Sequence, residues 1–289
     1  MAREVNKLNL QASSLITRFF ILLFIVFMAV FILGPLFWLA ARAFVTSWTF
    51  PNLLPDGLTL QWWRVITGDE SLKKAIRNSL IISPIVVLAA SVICLPAAYA
   101  FARYKFIGRK TFLIGMFAAN AFPKIGLFAA IATLYYTLNL MGTVLGVIII
   151  QLLGTIIFMT WIPAAAFAAV PQSLEDAARD AGATKFRVFR DITLRLAMPG
   201  ILVAMVMSFL HAFDEAQGTY LVGVPTIYTM PTLMYALVLN YPAQIAAVFS
   251  ILLTIPSVIL IGIARKHILG GQLARVPDQV NKVAKKRVG

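Results

Sequence analysis

The chain has 289 residues, 61% of them hydrophobic and only 12% charged, against about 25% charged in a soluble domain, so a soluble globular protein is excluded. Its net charge of +14 has no aromatic-studded basic soluble face to go with it, which argues against nucleic acid as a partner. Cys94 is the only cysteine, which leaves no intramolecular disulfide to form.

Uncharged stretches fall in blocks: residues 19–41, 78–102, 125–174 and 216–264. A membrane span needs about 20 apolar residues rising about 1.5 Å each. The pattern predicts six spans, over 19–41, 78–102, 111–135, 143–170, 200–221 and 243–264. A polar N-terminal tail covers 1–18, the membrane domain 19–264 and a polar C-terminal tail 265–289. The first apolar run is too long for a signal peptide's core, and no cleavage site follows it. With both termini placed in the cytoplasm, 19 of the 25 basic residues lie on that side, as the positive-inside rule requires. Lys73, Lys74 and Arg77 run against the bias.

Between the fourth and fifth spans lies PQSLEDAARDAGATKFRVFRDITLRLAMPG, residues 171–200. Pro171 stops the preceding span from running through. Ser173, with Asp176 three residues on, suits a capping box for a first helix. Gly182 stands where that helix ends, at a left-handed cap. Thr184 suits the N-cap of a second helix, on which Phe186 and Phe189 would share a face. The segment predicts a helix–turn–helix at the membrane surface.

This stretch resembles the EAA loop of the membrane subunits of binding-protein-dependent ABC importers. The family pattern runs Glu-Ala-Ala, three residues, Gly, nine residues, Ile, one residue, Leu-Pro. Here it reads Asp176-Ala177-Ala178, Gly182, Ile192, Leu194, with the spacing kept. Asp176 replaces the glutamate, although Glu175 is adjacent, and Arg195 stands in the proline's place. The resemblance implies an all-α integral membrane protein of the type I importer fold, with six transmembrane helices and a cytoplasmic coupling loop over 171–199. It implies that nucleotide-binding subunits carrying the ATP grip Glu175, Asp176, Ala177, Ala178, Gly182, Phe186 and Phe189. A second permease subunit and an extracytoplasmic solute-binding protein complete the expected assembly in the inner membrane.

No catalytic or metal-ligating constellation is apparent. His211 and His267 are far apart, and Gly108-Arg109-Lys110-Thr111 lacks the earlier glycine of a phosphate loop. The chain is therefore expected to be no enzyme and to hold no cofactor. Polar residues inside apolar segments are costly and face a cavity, a partner or the interface. Lys124, His211, Asp214, Glu215 and Gln217 are such residues. Asp214 and Glu215 either sit near the outer interface, bonding a neighbouring loop, or line the translocation path. Lys124 either snorkels or lines the same path. The stretches 77–100 and 122–142 resemble the carbohydrate branch of these importers. Phe213-Asp214-Glu215 and 54–63 resemble the polyamine and organic-ion branch. The balance favours a sugar-like solute, with a polyamine importer or a secondary transporter as alternatives.

Overall fold

In lipid every backbone polar group must find its partner within the chain, which favours helices. The computed structural model describes residues 2–48, 52, 54–118 and 122–273, with side chains only within 17–265. Among these residues the regular structure is helical, apart from one isolated antiparallel bridge between Val45 and Leu58. Two compact units divide it, Met1–Gly68 with Asn240–Ile251, and Asp69–Leu239 with Leu252–Gly289.

The first unit holds helices α1 (Ala2–Arg42) and α2 (Gln61–Gly68). Apolar side chains such as Phe19, Phe27, Leu33 and Phe37 are exposed all around α1, which suits a helix whose solvent is lipid. Tryptophans tie the loop that follows. Trp62 Nε1 donates to Val45 O at 2.9 Å, Trp63 Nε1 donates to Ala43 O at 3.0 Å, and the Arg42 guanidinium sits 5.3 Å from the Trp38 ring centre. Indole rings with one polar handle are the usual occupants of a membrane–water boundary.

The second unit begins with α3 (Glu70–Arg103), α4 (Arg109–Ala118), α5 (Lys124–Thr137) and α6 (Val144–Ala168). Then come α7 (Gln172–Asp180), α8 (Lys185–Val188), a π-helical turn (Phe189–Thr193) and α9 (Leu194–Phe213). The chain continues through α10 (Gln217–Gly223), α11 (Met230–Asn240) and α12 (Ala243–Leu273), the last crossing both units. Helices α3, α6 and α9 pack against one another as the core. Its layers are Val86, Ile150 and Ala212, then Ala90, Cys94, Met159 and Ala204, then Ala98, Phe167, Ala197 and Ile201. The many small residues let backbones approach, as packing in lipid demands. At Gly200 a Cβ would collide with the Ala166 Cβ, so the α6–α9 approach uses a missing side chain.

Among the described residues, five helices are long and apolar enough to cross a membrane: Thr17–Arg42, Glu70–Arg103, Val144–Ala168, Lys185–Phe213 and Ala243–Arg265. The expected third span, 111–135, is not one helix. It divides into α4 and α5, ten and fourteen residues, or about 15 and 21 Å, each short of the roughly 30 Å hydrocarbon core. Pro123 occupies the N-cap of α5, and a residue before proline is pushed out of helical conformation. Residues 119–121 lie outside the described ones, as does the 274–289 part of the expected C-terminal tail.

The fifth span is displaced. It stops at Phe213 rather than Leu221, and recovers its length at the other end, where helix runs back to Lys185. Arg195, standing in for a proline, does not interrupt it. The second span also starts early, at Glu70, with Asp69 Oδ1 accepting from Ser71 N at 2.6 Å. Lys73, Lys74 and Arg77 thus ride a helical extension ahead of the apolar run.

Candidate functional sites: a clamped helix pair and a polar cavity

Helix α7 ends in a Schellman motif. Gly182 N–H donates to Arg179 O at 2.8 Å and Ala183 N–H to Ala178 O at 3.0 Å, satisfying two of the orphan carbonyls. This closure puts Gly182 at φ +86° with open space around its α-carbon. Thr184 then caps α8, its Oγ1 accepting from Arg187 N at 3.4 Å. The expected Ser173 cap is absent, because α7 starts at Gln172 with Pro171 at its N-cap and no side-chain cap bond. Proline preset in φ, with no N–H to satisfy, begins the helix earlier than a serine cap would.

The pair has an outer and an inner face. Asp176, Ala177, Gly182 and Phe186 are exposed, Phe186 at 71%, and Ala178 is half-buried. Phe186 and Phe189 do not share a face. A π turn starts at Phe189, and its ring lies edge-on to Tyr99, 5.0 Å between centres, and 6.3 Å from Phe167. The extra residue of a π turn rotates the positions after it.

Glu175 also faces inward, 3% exposed. Its Oε1 accepts from Arg103 Nη2 at 2.6 Å and from Thr193 Oγ1 at 2.6 Å. Arg103 Nη2 donates further to Val170 O at 3.1 Å. The charged side chains are 8% and 4% exposed. Removing one member of a buried ion pair costs about 3–5 kcal/mol, because the other charge is stranded. Arg179, by contrast, is half out in solvent, 3.3 Å from Asp176 Oδ1.

A cavity of about 920 Å³ opens among α5, α9 and α11, lined in part by Lys124, His211, Asp214, Glu215, Gln217 and Tyr235. A smaller one of about 270 Å³ shares Lys124, His211 and Glu215. Glu215 is largely spent on structure. Its carboxylate accepts from Gly218 N at 2.7 Å, Thr219 N at 2.9 Å and Thr219 Oγ1 at 2.6 Å, capping α10. Gln151 Nε2 donates to Thr219 Oγ1 at 3.1 Å behind it. Asp214 and Lys124 are exposed and make no ion pair among the described residues. His211 Nδ1 is buried without a partner, and its ring fits only because residue 154 is glycine, since a Cβ there would overlap the imidazole.

A family model described as "Binding-protein-dependent transport system inner membrane component" matches residues 75–269. The chain belongs to this family. Among its relatives, the galactooligosaccharides transport system permease protein GanQ of Bacillus subtilis (strain 168) is 26% identical over 276 residues, covering 92% of this chain and 97% of that one. The maltose/maltodextrin transport system permease protein MalG of Vibrio vulnificus (strain YJ016) is 27% identical over 265 residues, covering 84% and 90%. A crystal structure of a bacterial alginate ABC transporter, in complex with an alginate pentasaccharide-bound periplasmic protein, shares the fold with a TM-score of 0.63 at 18% identity, covering 84% and 90%.

This permease thus gathers Lys124, Asp214, Glu215 and Gln217 at one cavity and carries Glu175–Phe189 on a separate helix pair. Sequence reading missed Arg103, Thr193, Gly154 and Thr219. Arg103 read as one more cation of a basic turn. Thr219 sits in an apolar run where a hydroxyl leaves no periodic signal, and Thr193 reads only as a spacer between Ile192 and Leu194. Asn78 and Ser79 were noticed only as a family-like run. Asn78 Nδ2 donates to Tyr228 O at 2.8 Å, and Ser79 Oγ accepts from Met230 N at 2.8 Å, pinning the loop before α11 to α3.

Proposed function

We propose that the chain is half of the translocation path of an ATP-driven importer for an oligosaccharide or similar hydroxyl-rich solute. A separate nucleotide-binding subunit supplies the ATP hydrolysis and grips the outer face of α7 and α8. A second permease completes the path, and an extracytoplasmic binding protein delivers the solute. The observation that carries the reading is the two-faced helix pair, which leaves Asp176, Ala177 and the large ring of Phe186 outward while the inner face is bonded to the core. An exposed phenylalanine on a polar helix pair suits an aromatic anchor in a partner's pocket.

The solute class rests on the named substrates of the relatives and on the charge of the cavity. Its volume falls within the roughly 300–1,000 Å³ of small-molecule sites. Glu215 is occupied by α10, which leaves, among the described residues lining the cavity, one free carboxylate, Asp214, and one free ammonium, Lys124. That balance suits a neutral solute better than a polycation. Both termini and the helix pair lie on the cytoplasmic side in this scheme, and the chain holds no cofactor of its own. The test is co-purification with any ATPase, second permease and secreted binding protein found encoded beside it, followed by a thermal-shift screen of the secreted protein. Stabilisation by maltose, trehalose or galactobiose supports the reading, and stabilisation by spermidine alone overturns the solute class. Phe186→Ser should weaken ATPase co-purification at least tenfold, and unchanged recovery would remove the anchor role.

A further inference from the structure

Three pieces of chain that are far apart in sequence meet at one buried carboxylate. Arg103 is the last residue of α3, Val170 follows α6, and Thr193 closes the π turn that leads into α9. Glu175 of α7 accepts from Arg103 and Thr193 through the same Oε1, and the Arg103 Nη2 that reaches it also bonds Val170 O. Beneath this junction Tyr99 of α3, Phe167 of α6 and Phe189 pack as an edge-on cluster, Tyr99 lying 5.5 Å from Phe167 and 5.0 Å from Phe189. Polar ties therefore join α7 to the end of α3 and to the π turn ahead of α9, Arg103 also holds the chain just after α6, and the aromatic cluster joins α3, α6 and the π turn to one another.

We infer that the Arg103–Glu175–Thr193 junction is the positioning linkage that makes the helix pair and the ends of α3, α6 and α9 move as one body, so that a push received by α7 reaches the path-lining helices undiminished. The inference rests on the proposed gripping of α7 and α8 by an ATPase. A carboxylate turned outward would contact that subunit directly. One turned inward and shared by two donors instead fixes the angle of α7 to the core. The hydroxyl of Thr193 matters because it bonds the same carboxylate oxygen as Arg103, from the last residue of the π turn. A packed, hydrogen-bonded junction transmits displacement because it has few alternative arrangements.

The test uses the assembled transporter with its cysteine-free ATPase, in a Cys94→Ser background. Spin labels at Asp180→Cys on α7 and Lys105→Cys just beyond α3 report their separation without nucleotide and after trapping with MgATP and vanadate. In the parent the separation should change by less than about 2 Å, and in Glu175→Gln and Thr193→Val it should shift by about 5 Å, a helical turn. Thr193→Val keeps shape and charge, so it separates linkage from gross folding. A parent distance that itself shifts by a helical turn overturns the inference, as do variant distances that stay fixed like the parent's. If no ATPase co-purifies with the parent, the proposed function fails first, and the two failures are distinct.

Discussion

Gly182 shows what one residue can be asked to do. Two carbonyls at the end of α7 are satisfied only if the chain turns through positive φ, and the observed φ is +86°. No atom lies within 4 Å of where a Cβ would stand, so a substitution is penalised by conformation alone, about 1–2 kcal/mol for most residues. Asparagine tolerates this region better than other side chains. Gly182→Asn should therefore retain ATPase co-purification near the parent level while Gly182→Val loses most of it, with equal amounts of each in the membrane. Equal retention by both variants would mean the turn has no part in assembly. This position, and the Thr184 cap, were readable because turn chemistry is local: residue type and φ are linked within three or four positions. The inward turn of Glu175 was not, since the donors that hydrogen-bond its carboxylate lie 72 and 18 residues away. Only the choice of a buried direction separates it from Asp176, and two adjacent acids carry no mark of which one turns inward.

At the scale of elements, apolar run length located the helices well and their ends poorly. The second and fifth spans extend into charged sequence, to Glu70 and Lys185, because a capped helix continues past the point where apolar character stops. Asp214 and Glu215 in the fifth apolar run marked a break rather than a buried pair, since a glutamate that caps α10 also ends α9 nearby. The split of the third span was signalled by Pro123 alone, and proline is too common inside these helices to decide it: Pro84, Pro96, Pro163, Pro199 and Pro256 all lie within helices. Helix contacts yield a sharper expectation. The Cβ of Gly200→Ala would meet the Ala166 Cβ, and overpacking of this kind costs about 1–3 kcal/mol. The detergent-solubilised variant should unfold at a lower temperature, and adding Ala166→Gly should restore part of the loss by exchanging the two methyl positions. If the double variant melts below Gly200→Ala, the contact is not the source of the strain. Gly154→Ala tests the neighbouring cavity in the same way. Its methyl group would displace the His211 ring, so solute-dependent ATPase activity of the assembled transporter should fall with little change in basal turnover.

For the whole molecule, charge carries the topology. Of the 25 basic residues, 19 fall on the side that holds both termini and the helix pair in the proposed arrangement. Positive-inside bias is counted over short loops near the spans, and the loops at 103–110 and 171–199 both qualify. The opposite orientation would place these clusters outside and leave only Arg42, Arg64, Lys73, Lys74 and Arg77 to hold the cytoplasmic face. Those last three stand on the helical extension at the start of α3, and Lys73 pairs with Glu70 at 2.7 Å, which dilutes their weight in the count. Two exposed positions read the orientation directly in a Cys94→Ser background: Asp180 on the helix pair, and Leu58 in the loop after α1, 83% exposed. In intact cells an impermeant maleimide should label Leu58→Cys and leave Asp180→Cys untouched until the membrane is opened. Labelling of Asp180→Cys from outside would invert the topology. The helix pair would then face away from every source of ATP, and an importer driven by a cytoplasmic ATPase would be untenable for this chain.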